Sequence, residues 1–129
     1  MGLSMHENDI SYKVRGAIFT VFDSLGQGLP ESAYEAALSH KLIIAGLNVR
    51  RQVSLPLVYD GVKMDIGYRI DLLIEDLVII EIKSAENLTK VHHKQLLTYL
   101  KLSGHKLGIL VNFNCSDITK NIFRKVNYL

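Results

Sequence analysis

One cysteine, Cys115, stands in a chain of 129 residues. A lone thiol excludes an intrachain disulfide and suits a reducing compartment, so the expected location is the cytoplasm. No apolar run reaches the length of a membrane span, and the N-terminal stretch has no signal-peptide core; a membrane partner is not expected. Met1-Gly2 opens like a myristoylation signal, but that signal wants Ser or Thr at position 6, where His6 stands. Net charge is scarce as well: the formal value is +2, which permits nucleic acid as a partner without demanding it. Internal repeats, low-complexity tracts and linkers are missing. Apolar residues are plentiful, at 48% hydrophobic. That suits one globular domain over residues 1–129 with a core of its own.

Two helices are expected first. Ile10, Val14, Ile18, Val21 and Leu25 recur at helical spacing from about Asn8, and Gly26 can end the run. Pro30 suits the first turn of a second helix, which runs to about Ala45 with Gly46 as its stop. Tyr34, Leu38 and Leu42 form its apolar stripe. Glu31 shares a face with Tyr34, although a first-turn acid also suits the helix dipole and needs no further role.

From Val49 the period changes to two. Val49, Val53, Leu55, Leu57 and Tyr59 share one parity, and Asp60-Gly61 marks a hairpin. Met64, Ile66, Tyr68, Ile70 and Leu72 follow on the return strand, which places Asp65, Arg69 and Asp71 on its other face. Pro56 points to an edge strand or an irregularity. Glu75-Asp76 turns the chain into a third strand, Leu77 to Lys83, whose run Val78-Ile79-Ile80 suits burial on both faces. Asn87 is a plausible N-cap for a helix from Leu88 to Ser103, with Leu88, Val91, Gln95, Tyr99 and Leu102 as its stripe. Gln95 and Tyr99 then face a ligand or a strand end, or form a boundary glutamine beside a core tyrosine. His92 and His93 diverge on a helix and read as a polar face, at most as phosphate contacts. Lys106 to Phe113 is a fourth strand, parallel to the third across the helix. Ile118 to Asn127 suits a short strand with a basic end at Lys120, Arg124 and Lys125. Cys115 has no evident base nearby and is read as non-catalytic.

The segment from Arg69 to Lys83 carries the chemistry. Acids and lysine are depleted in strand interiors, yet Asp71 interrupts one apolar run, and Glu81 and Lys83 interrupt the next. Glu81 and Lys83, two apart, share a face. Neighbouring carboxylates beside a core repel unless a cation intervenes, and Mg²⁺ is a suitable one. A solvated face at a sheet end is the plainer alternative.

Helix with Glu31, hairpin with Asp71, strand with Glu81-Ile82-Lys83, helix with Gln95 and Tyr99: this order resembles the PD-(D/E)XK nuclease superfamily. Gly28-Leu29-Pro30-Glu31-Ser32-Ala33-Tyr34 resembles the signature of the GxxExxY family within it. The resemblance spans about Val14 to Val126. It implies an α/β, restriction-endonuclease-like core, a central mixed sheet of four or five strands flanked by helices. It further implies a phosphodiester hydrolase using Mg²⁺ or Mn²⁺, or else a nucleic-acid- or protein-binding module that keeps the fold without turnover. Asp71, Glu81, Lys83 and Glu31 would be catalytic. Asp71, Glu81, the Ile82 carbonyl and Glu31 would hold the metal, and Gln95, Tyr99 and Tyr34 would contact substrate. The implied partner is nucleic acid, DNA ahead of RNA, although no residue selects between them. Sequence-specific cutting would need a homodimer or a protein partner. One departure from the superfamily pattern is Ile70, where a proline would precede Asp71.

This reading makes a demand on register. A regular two-residue loop at Glu75-Asp76 pairs Ile74 with Leu77 and Asp71 with Ile80, which turns Glu81 away from Asp71. A shared face requires an odd-length connection or a bulge, such as Ile74 opposite Val78.

Overall fold

Residues 5–128 are described in a computed structural model; Met1-Gly2 lies outside them. Helix α1 runs Met5–Leu25 and α2 Glu31–Ile44. Ile10, Val14, Ile18 and Val21 form the buried stripe of α1, whereas Leu25 is exposed. Tyr34, Leu38 and Leu42 are fully buried on α2, as their spacing requires. Both helices cover one face of a sheet.

That sheet has five strands: β1 Val49–Tyr59, β2 Val62–Ile74, β3 Val78–Lys83, β4 Leu107–Asn112 and β5 Ile122–Val126. Their spatial order is their chain order. β3 and β4 are parallel, joined through helix α3 (Lys90–Ser103), and every other pair is antiparallel. The result is a mixed α/β sheet flanked by three helices. A 3₁₀ turn, Ile118–Lys120, precedes β5. Central β3 is buried from Val78 to Ile82, as its unbroken apolar run implies.

Tyr59 pairs with Val62 around Asp60-Gly61, and both loop residues have positive φ, 53° and 73°. This is the mirror-image turn whose twist matches the strands. The register shifts between Pro56 and Val58 on the edge strand β1, where proline is tolerated. At the next turn the Leu77 N–H donates to the Ile74 carbonyl at 2.9 Å, yet the ladder pairs Ile74 with Val78. Leu77 is the odd residue, and the β2–β3 register is the one that a shared Asp71/Glu81 site demands.

Two expectations are corrected. The first concerns the faces of the β1–β2 hairpin. Val49, Leu72 and Ile74 pack in the core under α1 and α2, whereas Val53, Leu55, Tyr68 and Ile70 pack in a second core under α3. A uniform parity for either strand is therefore wrong. Both strands cross from one face to the other around Gln52 and Asp71, where Gln52 has a φ of 50°. The second concerns α3. It begins at Lys90 with Thr89 as N-cap; the Thr89 carbonyl accepts from the His92 N–H at 3.1 Å, and the Thr89 N–H donates to His92 Nδ1 at 3.1 Å. Asn87 is not the cap. The buried stripe is Leu96 and Leu100, while Val91 and Leu102 are exposed. Leu96 settles the phase because it seats over Gly108 of β4, where an added Cβ would come within 2.8 Å of Leu96 Cδ1.

Gly67, on β2, is tighter still: a Cβ there would stand 2.4 Å from the backbone oxygen of Leu55. Backbone cannot move aside as a side chain can. Gly67→Ala is expected to cost about 1–3 kcal/mol, read as a fall in Tm; an unchanged Tm would show that the hairpin can open there.

Candidate functional site

The β2–β3 ladder covers only three pairs and ends at Leu72 opposite Ile80. Past it, the Asp71 carboxylate fills the gap between the strands: the Ile82 N–H donates to Asp71 Oδ2 at 2.7 Å. Asp71 is half-buried and in register faces Glu81, the next residue along β3. Glu81 is 5% exposed, and its Oε1 has no hydrogen-bond partner. Burial pushes its carboxyl up to about 9, and the charge of Asp71 adds to the rise; Lys83, two residues on, pulls it partly back.

Lys83 is half-buried at the end of β3, where its carbonyl accepts from the Phe113 N–H at 2.9 Å. The Tyr99 hydroxyl is also raised, first by burial and then by the charges of Glu81 and Asp71. Tyr99 thus sits within electrostatic reach of the acids, its ring stacked on Tyr68 with centroids 4.5 Å apart. Gln95, one turn earlier on α3, is solvent-exposed and lies outside the apolar stripe expected for it.

Glu31 opens α2 and lies at the rim. Its Oε2 accepts from the Ser84 N–H at 3.2 Å, and Ser84 Oγ donates to the Leu29 carbonyl at 2.7 Å. These two bonds tie the start of α2 to the end of β3. Tyr34 does not reach a substrate surface, contrary to expectation. It is fully buried; its hydroxyl donates to the Gly26 carbonyl at 2.6 Å and accepts from the Leu29 N–H at 3.2 Å. Its ring stacks on Phe113 at 4.3 Å. Tyr34 instead braces the turn that delivers Glu31.

A cleft of about 440 Å³ is lined by Glu31, Ser32, Glu35, Gln52, Asp71 and Ile82. Sequence reasoning missed Glu35 and Gln52. Glu35 is 7% exposed, and its two oxygens accept from Arg51 Nε at 3.1 Å and from Gln52 Nε2. One signal was available: Glu35 is four residues past Glu31, on the same helical face. Asn112 was missed too. It is buried, and its carboxamide bonds both the N–H and the carbonyl of Ala85, holding the loop that follows Lys83.

Among the described residues, no three or more His, Cys, Asp or Glu side chains gather as a metal cluster. Asp71, Glu81 and the Ile82 carbonyl are two carboxylates and a neutral oxygen, the small oxygen set that Mg²⁺ accepts when water and phosphate complete its shell. The unpartnered Glu81 Oε1 is the observation that fits such an ion, since a buried carboxylate oxygen without a donor requires a cation or a proton.

No match is found among curated proteins. One solved structure, the crystal structure of SSO0001, is similar over 98% of this chain and 80% of its own, with 20% identity and a TM-score of 0.48. The family model of the PD-(D/E)XK nuclease superfamily matches residues 8–126. With nearly the whole length matched, and with the mixed sheet and acid-bearing strands described above, the chain belongs to the PD-(D/E)XK nuclease superfamily.

Proposed function

We propose that the protein is a divalent-metal-dependent nuclease acting through Asp71, Glu81 and Lys83, and that Gly28 to Tyr34 places it in the GxxExxY group of the superfamily. The observation that carries this reading is the buried Glu81 carboxyl, orphaned at Oε1 and within electrostatic reach of Asp71. Asp71, Glu81 and the Ile82 carbonyl would hold Mg²⁺ or Mn²⁺, and such an ion supplies Lewis acidity and a water of lowered pKa. Lys83, at the open end of β3, would donate to a phosphoryl oxygen as negative charge builds there. Tyr99, its hydroxyl kept protonated by burial and by the acids, would remain a neutral donor at the same place. Glu31 would stand at the rim, its side chain set by Ser84.

The distribution of charge supports a polyanionic substrate. From Lys83 to Leu129 there are eight Lys and Arg against two Asp and Glu; before Lys83 there are seven against eleven. Lys90, Lys94 and Lys101 are exposed on α3, and Lys120 and Arg124 lie exposed at and beside β5. DNA is the first substrate to try. No helix among the described residues is long and apolar enough to cross a membrane.

The test is incubation of the protein with labelled single- and double-stranded DNA and RNA in Mg²⁺, Mn²⁺ or chelator, with Asp71→Ala alongside. Metal-dependent cleavage by the wild type alone is expected. A second reading, a module that binds without cutting, draws support from Asp71 Oδ2 already being bonded to the Ile82 N–H. Salt-sensitive binding with no cleavage in either metal would favour it.

A further inference from the structure

Gln52 lies inside β1, yet its φ is 50°, a left-handed conformation that a non-glycine residue rarely adopts in a strand. Its neighbours are regular: Arg51 pairs with Leu72 and Val53 with Ile70. The distortion is confined to the residue that stands across from Asp71. Glycine would take this conformation without steric penalty, so the glutamine side chain needs an explanation.

Its contacts supply one. Gln52 Nε2 donates to Glu35 Oε1 and, at 3.3 Å, to Asp71 Oδ1. A carboxamide nitrogen carries two hydrogens, so both bonds can form together. With the amide reversed, its oxygen would face two carboxylates. Glu35 is itself fixed by Arg51 Nε at 3.1 Å.

We infer that Gln52 is a positioning residue for Asp71. It grips Oδ1 while the Ile82 N–H grips Oδ2, so both oxygens of the carboxylate are held and its plane is set. It also puts a neutral donor between two acids that would otherwise repel across the cleft. The left-handed backbone serves both ends of this device, because the same residue marks where β1 crosses from one core to the other. The clamp matters for catalysis only on the nuclease reading; the clamp itself can be tested without it.

Gln52→Gly relieves the backbone and removes the side chain; Gln52→Glu keeps the length and removes the donor. For Gln52→Gly, a Tm equal to or above that of the wild type is expected. With it, the Ile82 amide should exchange at least tenfold faster while the amides of β4 keep their rates. Under cleavage conditions kcat should fall about tenfold or more with KM little changed, and Gln52→Glu should lose kcat likewise. Unchanged Ile82 exchange in Gln52→Gly would overturn the inference. So would a fallen Tm with protection lost throughout, which would make Gln52 a purely structural residue. If the wild type cuts nothing, the nuclease reading fails alone and the exchange comparison still decides the clamp.

Discussion

Lys83→Met is expected to lower the rate of phosphodiester hydrolysis by about 10²–10³-fold, the usual loss when one donor to transition-state charge is removed. Methionine preserves the length and the apolar stem, and the backbone bond from Phe113 N–H to the Lys83 carbonyl does not depend on the side chain. Tm should therefore move little. An interaction made only in the transition state affects kcat and leaves KM nearly unchanged. Steady-state kinetics on the best substrate from the cleavage screen provide the check. A rise in KM at constant kcat would make Lys83 a substrate-binding residue, and full activity would remove it from the mechanism. Lys83→Arg is not a conservative rescue here, because a planar guanidinium presents its donors in a different geometry.

Glu81→Gln is expected to stabilise the metal-free protein at neutral and alkaline pH. Burial and the neighbouring Asp71 push the folded Glu81 carboxyl up to about 9, against an ordinary value of 4.5 in the unfolded chain. Below pH 4.5 both states hold the proton and the residue contributes no pH dependence. Between 4.5 and 9 the unfolded chain releases its proton while the folded protein keeps it, so stability falls as pH rises through that window. Glutamine cannot ionise, and its advantage over the wild type should widen by on the order of 1 kcal/mol per pH unit. Urea titrations from pH 5 to pH 8 in chelator would show it. With saturating Mn²⁺ the order should reverse, because an ionised Glu81 is then held by the cation whereas glutamine is a poor ligand. Parallel stability curves for the two proteins in chelator would mean that Glu81 is already ionised, and the description of the site as a buried, proton-holding acid would have to be given up.

Much of this architecture is legible in the sequence because its signals are local. Asp60-Gly61 specifies its turn by φ alone, and the strand run Val78-Ile79-Ile80 specifies burial by composition. Even the β2–β3 register follows from parity once Asp71 and Glu81 are required to meet. Failures occur where a decision belongs to two elements at once. Helix α3 offers two stripes, one through Val91, Gln95, Tyr99 and Leu102 and one through Leu96 and Leu100. What selects between them is the space left by Gly108 on a strand not yet formed; a lone glycine inside that strand was the available clue. Tyr34 reads as a site residue from its place beside Glu31, but its hydroxyl is spent on the Gly26–Leu29 turn. Gln52 looked unremarkable because neither its conformation nor its two acidic partners can be read from Arg51-Gln52-Val53. Side-chain alternation assumes that a strand keeps its faces, and this hairpin does not.

The order of strands in the sheet bears on how the molecule folds. Each strand lies beside its predecessor, so the antiparallel pairs close over short loops and the parallel pair through the single helix α3. Such contacts are near in sequence and carry little loop-closure entropy, which favours rapid assembly. The β2–β3 hairpin, with one of the shortest connections, is among the first pairs able to form, whereas the parallel β3–β4 pair must wait for α3. Asp71 and Glu81 are therefore brought together early, before the rest of the chain has walled them off from water. On that order Glu81 would take up its proton, or its counter-ion, as the nascent hairpin is covered, and an acid that burial disfavours as a carboxylate would be neutralised while solvent can still reach it.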